Sequence, residues 1–135
     1  MTTLEPQPLG PALAAAEEAG WTTVRLDLDG VRSKAELMAR CREALFLPEW
    51  VGRNWDALAD AVRDLSWLPD AGAAGRLVAV TSWRAYAAAR PAEWETLREI
   101  LEEAVDFWRE QEGAPMLTVL LADAADAPRR KPRRG

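Results

Sequence analysis

Apolar and polar residues alternate along Trp21-Thr-Thr-Val-Arg-Leu-Asp-Leu-Asp29, with Val24, Leu26 and Leu28 facing one way. A period of two predicts a strand, closed by Asp29-Gly30. The period then changes. Ser33 followed three residues later by Glu36 is a capping box, and the next helix, about 34–46, carries Leu37, Met38, Cys41, Ala44 and Leu45 on one face. Pro48 closes it. A short loop, Leu47 to Asn54, contains Pro48 and Gly52, and Asn54 is a good N-cap for a helix over roughly 55–65. Trp55, Leu58, Val62 and Leu65 form the apolar stripe of that helix. Pro69 to Gly75 reads as a turn-rich linker.

Leu77-Val-Ala-Val-Thr81 is a short continuous apolar run, the pattern of a strand buried on both faces. Ser82 to Arg90 predicts a short helix stopped by Pro91, which itself suits the first turn of the next helix. That helix, about 92–112, repeats Leu97, Ile100, Leu101, Ala104 and Trp108 at helical spacing, and Gly113 ends it. Met116 to Leu121 is a third apolar strand. Residues 1–10 read as a flexible lead, 11–19 as a short alanine-rich helix ended by Gly20, and 123–135 as a disordered tail rich in Ala, Pro and Arg. Strands separated by helices require crossovers, so the expectation is an α/β fold: a three-stranded parallel sheet packed with about four helices, in one domain over 21–122. No internal repeat is visible.

Composition narrows the chemistry. The chain of 135 residues has no histidine, which excludes a Ser–His–Asp triad, a Cys–His pair and the commonest metal ligand. Its single cysteine, Cys41, forms no internal disulfide and lies on an apolar stripe, as a buried inert thiol would. A reducing, cytoplasmic setting fits this best. The first twenty residues do not read as a signal peptide, and no apolar run approaches a membrane span. No metal or cofactor is expected.

Charge changes the picture more. The net charge is −5, but the last seven residues hold five of the seventeen basic side chains. The other 128 residues carry 12 basic and 22 acidic groups, a balance of −10. An acidic body attracts basic partners and repels nucleic acid, leaving only the tail Arg129 to Arg134 to meet phosphate. Another reading has that tail folding back onto the acidic helix.

Asp56, Asp60 and Asp64 are spaced i, i+4, i+8 and would form a row on the helix. Like charges at this spacing cost an exposed helix about 0.2–0.5 kcal/mol per pair. Arg63 relieves part of this by pairing with Asp60. The row fits a solvated acidic face, a seat for a cationic partner, or a pair of carboxylates for acid–base catalysis. The last usually needs a concave pocket built from several elements. Calcium would need a tight loop rather than a regular helix.

The stretch Leu47-Pro-Glu-Trp-Val-Gly-Arg-Asn-Trp-Asp-Ala-Leu-Ala-Asp60 resembles the signature of the barstar family. Weaker similarity runs over about residues 22–122, through Val31-Arg-Ser33, Ser82-Trp-Arg-Ala-Tyr86 and Glu112-Gly113. The resemblance implies a small parallel sheet with helices and no enzymatic activity. It implies an antitoxin-like inhibitor of a small secreted guanyl-specific ribonuclease, bound one-to-one. Trp50, Asp56 and Asp60 would then plug the ribonuclease active site, with Gly52 and Asn54 shaping the loop and capping the helix. Asp64 extends the row. The chain departs from the family pattern at three places. Ala59 stands where the family has an interface Trp, Trp50 replaces a loop Tyr, and the family's late-helix glutamate falls at Glu110 or Glu112. These departures leave a second expectation, a barstar-like module for a basic partner that is not a nuclease.

Overall fold

The computed structural model describes residues 4–64, 75–113 and 116–122. The expectations for Leu65, most of the linker and the tail 123–135 lie outside the described residues. The elements are β1 (Pro6–Gln7), α1 (Leu9–Glu18), β2 (Thr22–Asp27), α2 (Lys34–Leu45), α3 (Trp55–Val62), β3 (Gly75–Thr81), α4 (Trp83–Ala89), α5 (Pro91–Arg109) and β4 (Met116–Ala122).

The sheet is parallel throughout, in the order β1-β4-β3-β2. Among the described residues it therefore has four strands, not three, and there are five helices rather than about four. The added strand comes from the lead: Pro6 pairs with Leu121 and Gln7 with Ala122, on the edge that β4 would otherwise expose. The Leu4 amide, donating to Glu102 Oε2 at 3.0 Å, ties the start of this segment to α5. Proline lacks an N–H and is tolerated on a sheet edge, which suits Pro6.

β3 is buried at every position because both faces are covered, and this accounts for its unbroken apolar run. On one face, Val24, Leu26, Val78, Val80, Val119 and Leu121 pack with the apolar sides of α2, α3, α4 and α5. On the other, Leu9 and Ala16 of α1 meet Leu77, Ala79 and Leu120. Gly75 is needed here: a Cβ on it would lie 2.5 Å from the Trp21 ring. Trp83 stacks on Trp94 with centroids 5.1 Å apart, and its Nε1 donates to Ala122 O at 2.9 Å.

The helix boundaries follow local chemistry. Ser33 Oγ accepts from the Glu36 amide at 3.2 Å while Glu36 Oε1 accepts from the Arg32 amide at 2.7 Å, completing the capping box at α2. Pro91 opens α5. Of the residues expected inside, Leu37, Met38, Cys41, Leu45, Leu58, Val62, Leu97, Ile100, Leu101 and Ala104 belong to the main core, with Ala44, Trp55 and Trp108 partly buried against it.

Burial pushes the Cys41 thiol up from its usual 9.0 to about 12. Burial also raises the Tyr86 phenol, helped by its hydrogen bond to Glu93 Oε1 at 2.9 Å. Both groups are held protonated by the fold. Their stabilising effect is complete below the unfolded-state pKa values and is lost as pH rises through the folded ones. Thermal melts are expected to show a Tm that falls between about pH 9 and 12. A thiol reagent at pH 8 should label Cys41 only at the rate of unfolding.

Candidate functional site

The loop between α2 and α3 is fixed by its own backbone and by one arginine. α2 stops at Leu45, and Phe46 takes a left-handed conformation, φ 54 and ψ 41. The amides of Phe46 and Leu47 both donate to Arg42 O, Leu47 at 3.0 Å. The chain turns at Pro48, where the Val51 amide donates to Pro48 O at 3.0 Å. From α2, Arg42 Nη1 reaches Pro48 O at 3.1 Å and Nη2 reaches Val51 O at 2.9 Å. A guanidinium fork holding two carbonyls leaves the turn little freedom.

Arg42 does not appear among the residues that sequence reasoning selects. The available signal was a basic residue in the last turn of a helix, where side chains often bond free carbonyls. That the carbonyls belong to the following loop depends on tertiary structure. Replacing Arg42 by methionine should speed amide exchange at Val51 about tenfold, the effect of a charge-assisted hydrogen bond in a partly buried site. The Tm should fall by only a few degrees.

Gly52 and Asn54 start α3. A Cβ on Gly52 would sit 3.2 Å from Asn54 Nδ2 and 3.3 Å from Ala57 Cβ, so a side chain there would press on the cap. Asn54 Oδ1 accepts from the Ala57 amide at 2.8 Å, an N-cap as the sequence predicts. Leu58, Ala61 and Val62 anchor the inner face of α3, and the Lys34 ammonium lies 5.6 Å from the Trp55 ring centroid. At the far end, Trp108 Nε1 donates to Val62 O at 2.8 Å, which sets the end of α5 beside the end of α3. Glu110 caps α5 and Glu112 is exposed just beyond it.

The outer face carries the acids. Asp56 sits in the first turn of α3, where the helix dipole favours a negative charge. Asp60 is 78 % exposed at its side chain and bonds Arg63 Nη2 at 2.8 Å. Asp64 is not on the helix. α3 ends at Val62, Arg63 leaves helical geometry, and the Asp64 amide donates to Ala61 O at 3.0 Å in a turn. The expected helical row is thus two carboxylates with a third brought round by the turn.

Trp50, Val51, Gly52, Ala57, Asp60, Ala61 and Asp64 line one open depression of about 250 Å³. Its lining combines the apolar Val51, Ala57 and Ala61 with two carboxylates and Trp50, which is 75 % exposed. That combination suits a long cationic side chain, which offers an aliphatic stem and a charged head. Asp56 is not a wall of it. Ala59 is half-buried against the main core and presents no large side chain. Among the described residues no group of three or more His, Cys, Asp or Glu could hold a metal ion, and no helix is long and apolar enough to cross a membrane.

A search of curated proteins finds no match to the chain. The family model described as Barstar (barnase inhibitor) matches residues 21–122. That span takes in β2 through β4 and the whole loop–helix unit described above. The chain belongs to the barstar family.

Proposed function

We propose that the protein is a one-to-one inhibitor of a small basic ribonuclease and blocks its active site with the loop and α3. One observation carries this reading: Trp50, on a loop already held in place by Arg42, meets Asp60 of α3 and Asp64 of the following turn around a single open depression. A ribonuclease cleft is basic because it binds a polyanion. Carboxylates placed there form charge-assisted hydrogen bonds with its Arg and Lys side chains in place of substrate phosphates. A loop fixed beforehand spares the ordering cost of association. The acidic body adds long-range attraction and speeds encounter. The protein itself performs no chemistry, and acts in the cytoplasm of the cell that makes the enzyme, as an antitoxin or immunity protein does. Trp50, Asp56, Asp60 and Asp64 supply the contacts, while Gly52 and Asn54 shape their support.

Ala59 favours a second reading. With no large side chain at that position, the same face would suit a basic partner of different shape, including one that is not a nuclease.

Competition with a nucleotide separates the two. A ribonuclease held by this face should lose binding to guanosine 3′-monophosphate, and excess nucleotide should lower the apparent affinity of the inhibitor in proportion to its occupancy. Simultaneous binding of nucleotide and inhibitor would exclude a blocked active site.

A further inference from the structure

Phe46 is 63 % exposed and belongs to neither packed cluster of the core. It is also one of only two non-glycine residues with positive φ among the described residues, the other being Ser82. The position that closes a helix in this conformation is usually glycine, because a Cβ crowds the backbone there. Phe46 therefore holds a phenyl ring in water on a backbone that disfavours any side chain. Within the folded chain a glycine would serve the cap better. A strained, exposed residue of this kind points to a role outside the monomer.

Its position gives that role a direction. Arg42 O accepts the Phe46 amide, and the Arg42 guanidinium holds the carbonyls of Pro48 and Val51. One residue thus fixes Phe46 and the loop of Trp50 to the same helix end. Phe46 and Trp50 are two of the three exposed large hydrophobic residues described, and the third, Met116, begins β4.

We infer that Phe46 is a second aromatic contact for the ribonuclease, made at the edge of the acidic face; this rests on the inhibitor reading above. The matching chemistry on the enzyme is an Arg or Lys at the rim of its cleft, with the stem lying against the ring and the cation over its face. The contact widens the interface beyond the depression and adds apolar area that the carboxylates lack. It also explains why the cap is not glycine: the ring costs the free protein stability and serves the complex.

The test uses the full chain against a panel of small guanyl-specific microbial ribonucleases, barnase included. Phe46→Gly, Phe46→Asn, Phe46→Trp and Asp60→Ala are compared by thermal melts and by association and dissociation rates on the enzyme that binds. Phe46→Gly is expected to raise the Tm by a few degrees and to speed dissociation about tenfold. Phe46→Asn, whose residue type tolerates the left-handed region, should lose the same affinity, and Phe46→Trp should keep it. Unchanged dissociation for Phe46→Gly, with Asp60→Ala still losing binding, would overturn the inference and leave the inhibitor reading standing. A lower Tm for Phe46→Gly would show the ring to be packed within the monomer and would overturn it too. Failure of the parent protein to bind any enzyme of the panel would remove both.

Discussion

Asp60→Ala is expected to weaken the complex by about 2–5 kcal/mol, or roughly thirtyfold to several thousandfold in Kd, with little change in the stability of the free protein. That general range rests in part on measurements of the barnase–barstar pair itself. The asymmetry follows from where the side chain sits. In the free protein Asp60 is exposed and bonded only at the surface to Arg63, and pairs of this kind are worth about 0–1 kcal/mol. Alanine is also the better helix former, which offsets part of even that loss. In the proposed complex the carboxylate would be desolvated between cations of the enzyme, and its removal would leave those cations buried and unpaired. Most of the effect should appear in the dissociation rate. The control is Glu103→Ala, an exposed carboxylate of α5, which should alter the association rate slightly and dissociation not at all. Calorimetry on the two variants, with melts of each free protein, checks this. Equal losses from both would remove Asp60 from the site.

Trp50→Ala carries the second large effect, about 2 kcal/mol or more of binding, near thirtyfold, again without loss of fold. The indole is 75 % exposed in the free protein, so truncation removes little of the packing that holds the loop. The Arg42 fork and the Asn54 cap, which position it, stay intact. On binding, the ring would bury a large, stiff apolar surface against the enzyme and lie over any cation that enters the depression. Trp50→Tyr and Trp50→Phe should keep most of the affinity, since ring area and its π-face matter more here than the indole N–H. A Trp50→Ala protein that binds as well as the parent would place the contact elsewhere on the acidic face.

The parts of this structure that local chemistry dictates are readable along the chain. Val24, Leu26 and Leu28 alternate because one face of β2 meets the core and the other does not. Ser33 with Glu36, and Asn54 before α3, announce their helices through the hydrogen bonds they make. β1 gives no such signal. Two residues, one of them proline, carry no periodicity, and they become a strand only because β4 presents an edge to them. The α3 row was half readable. Asp56 and Asp60 share the outer face, but spacing alone does not show that the helix stops at Val62 and that Asp64 arrives by a turn. Arg42 escapes for the same reason as β1: what it holds lies on the following loop, folded back on the helix end. Phe46 reads from sequence as the last residue of a helix, and its left-handed backbone appears only in the fold. Ala59 shows the opposite case. Its departure from the family pattern is plain in the sequence, and the structure adds that the position is half-buried against the core.

If this face blocks a ribonuclease, the enzyme stops cutting RNA once it is bound. The direct measurement is a titration of enzyme activity with the full-length protein, at enzyme concentrations well above the dissociation constant. Activity is expected to fall linearly and reach zero at one inhibitor per enzyme, with Asp60→Ala giving a shallow curve that never reaches a sharp end point. RNA cleavage that continues unchanged beyond a twofold excess of protein, for every small basic ribonuclease that the protein binds, would rule out inhibition by this face.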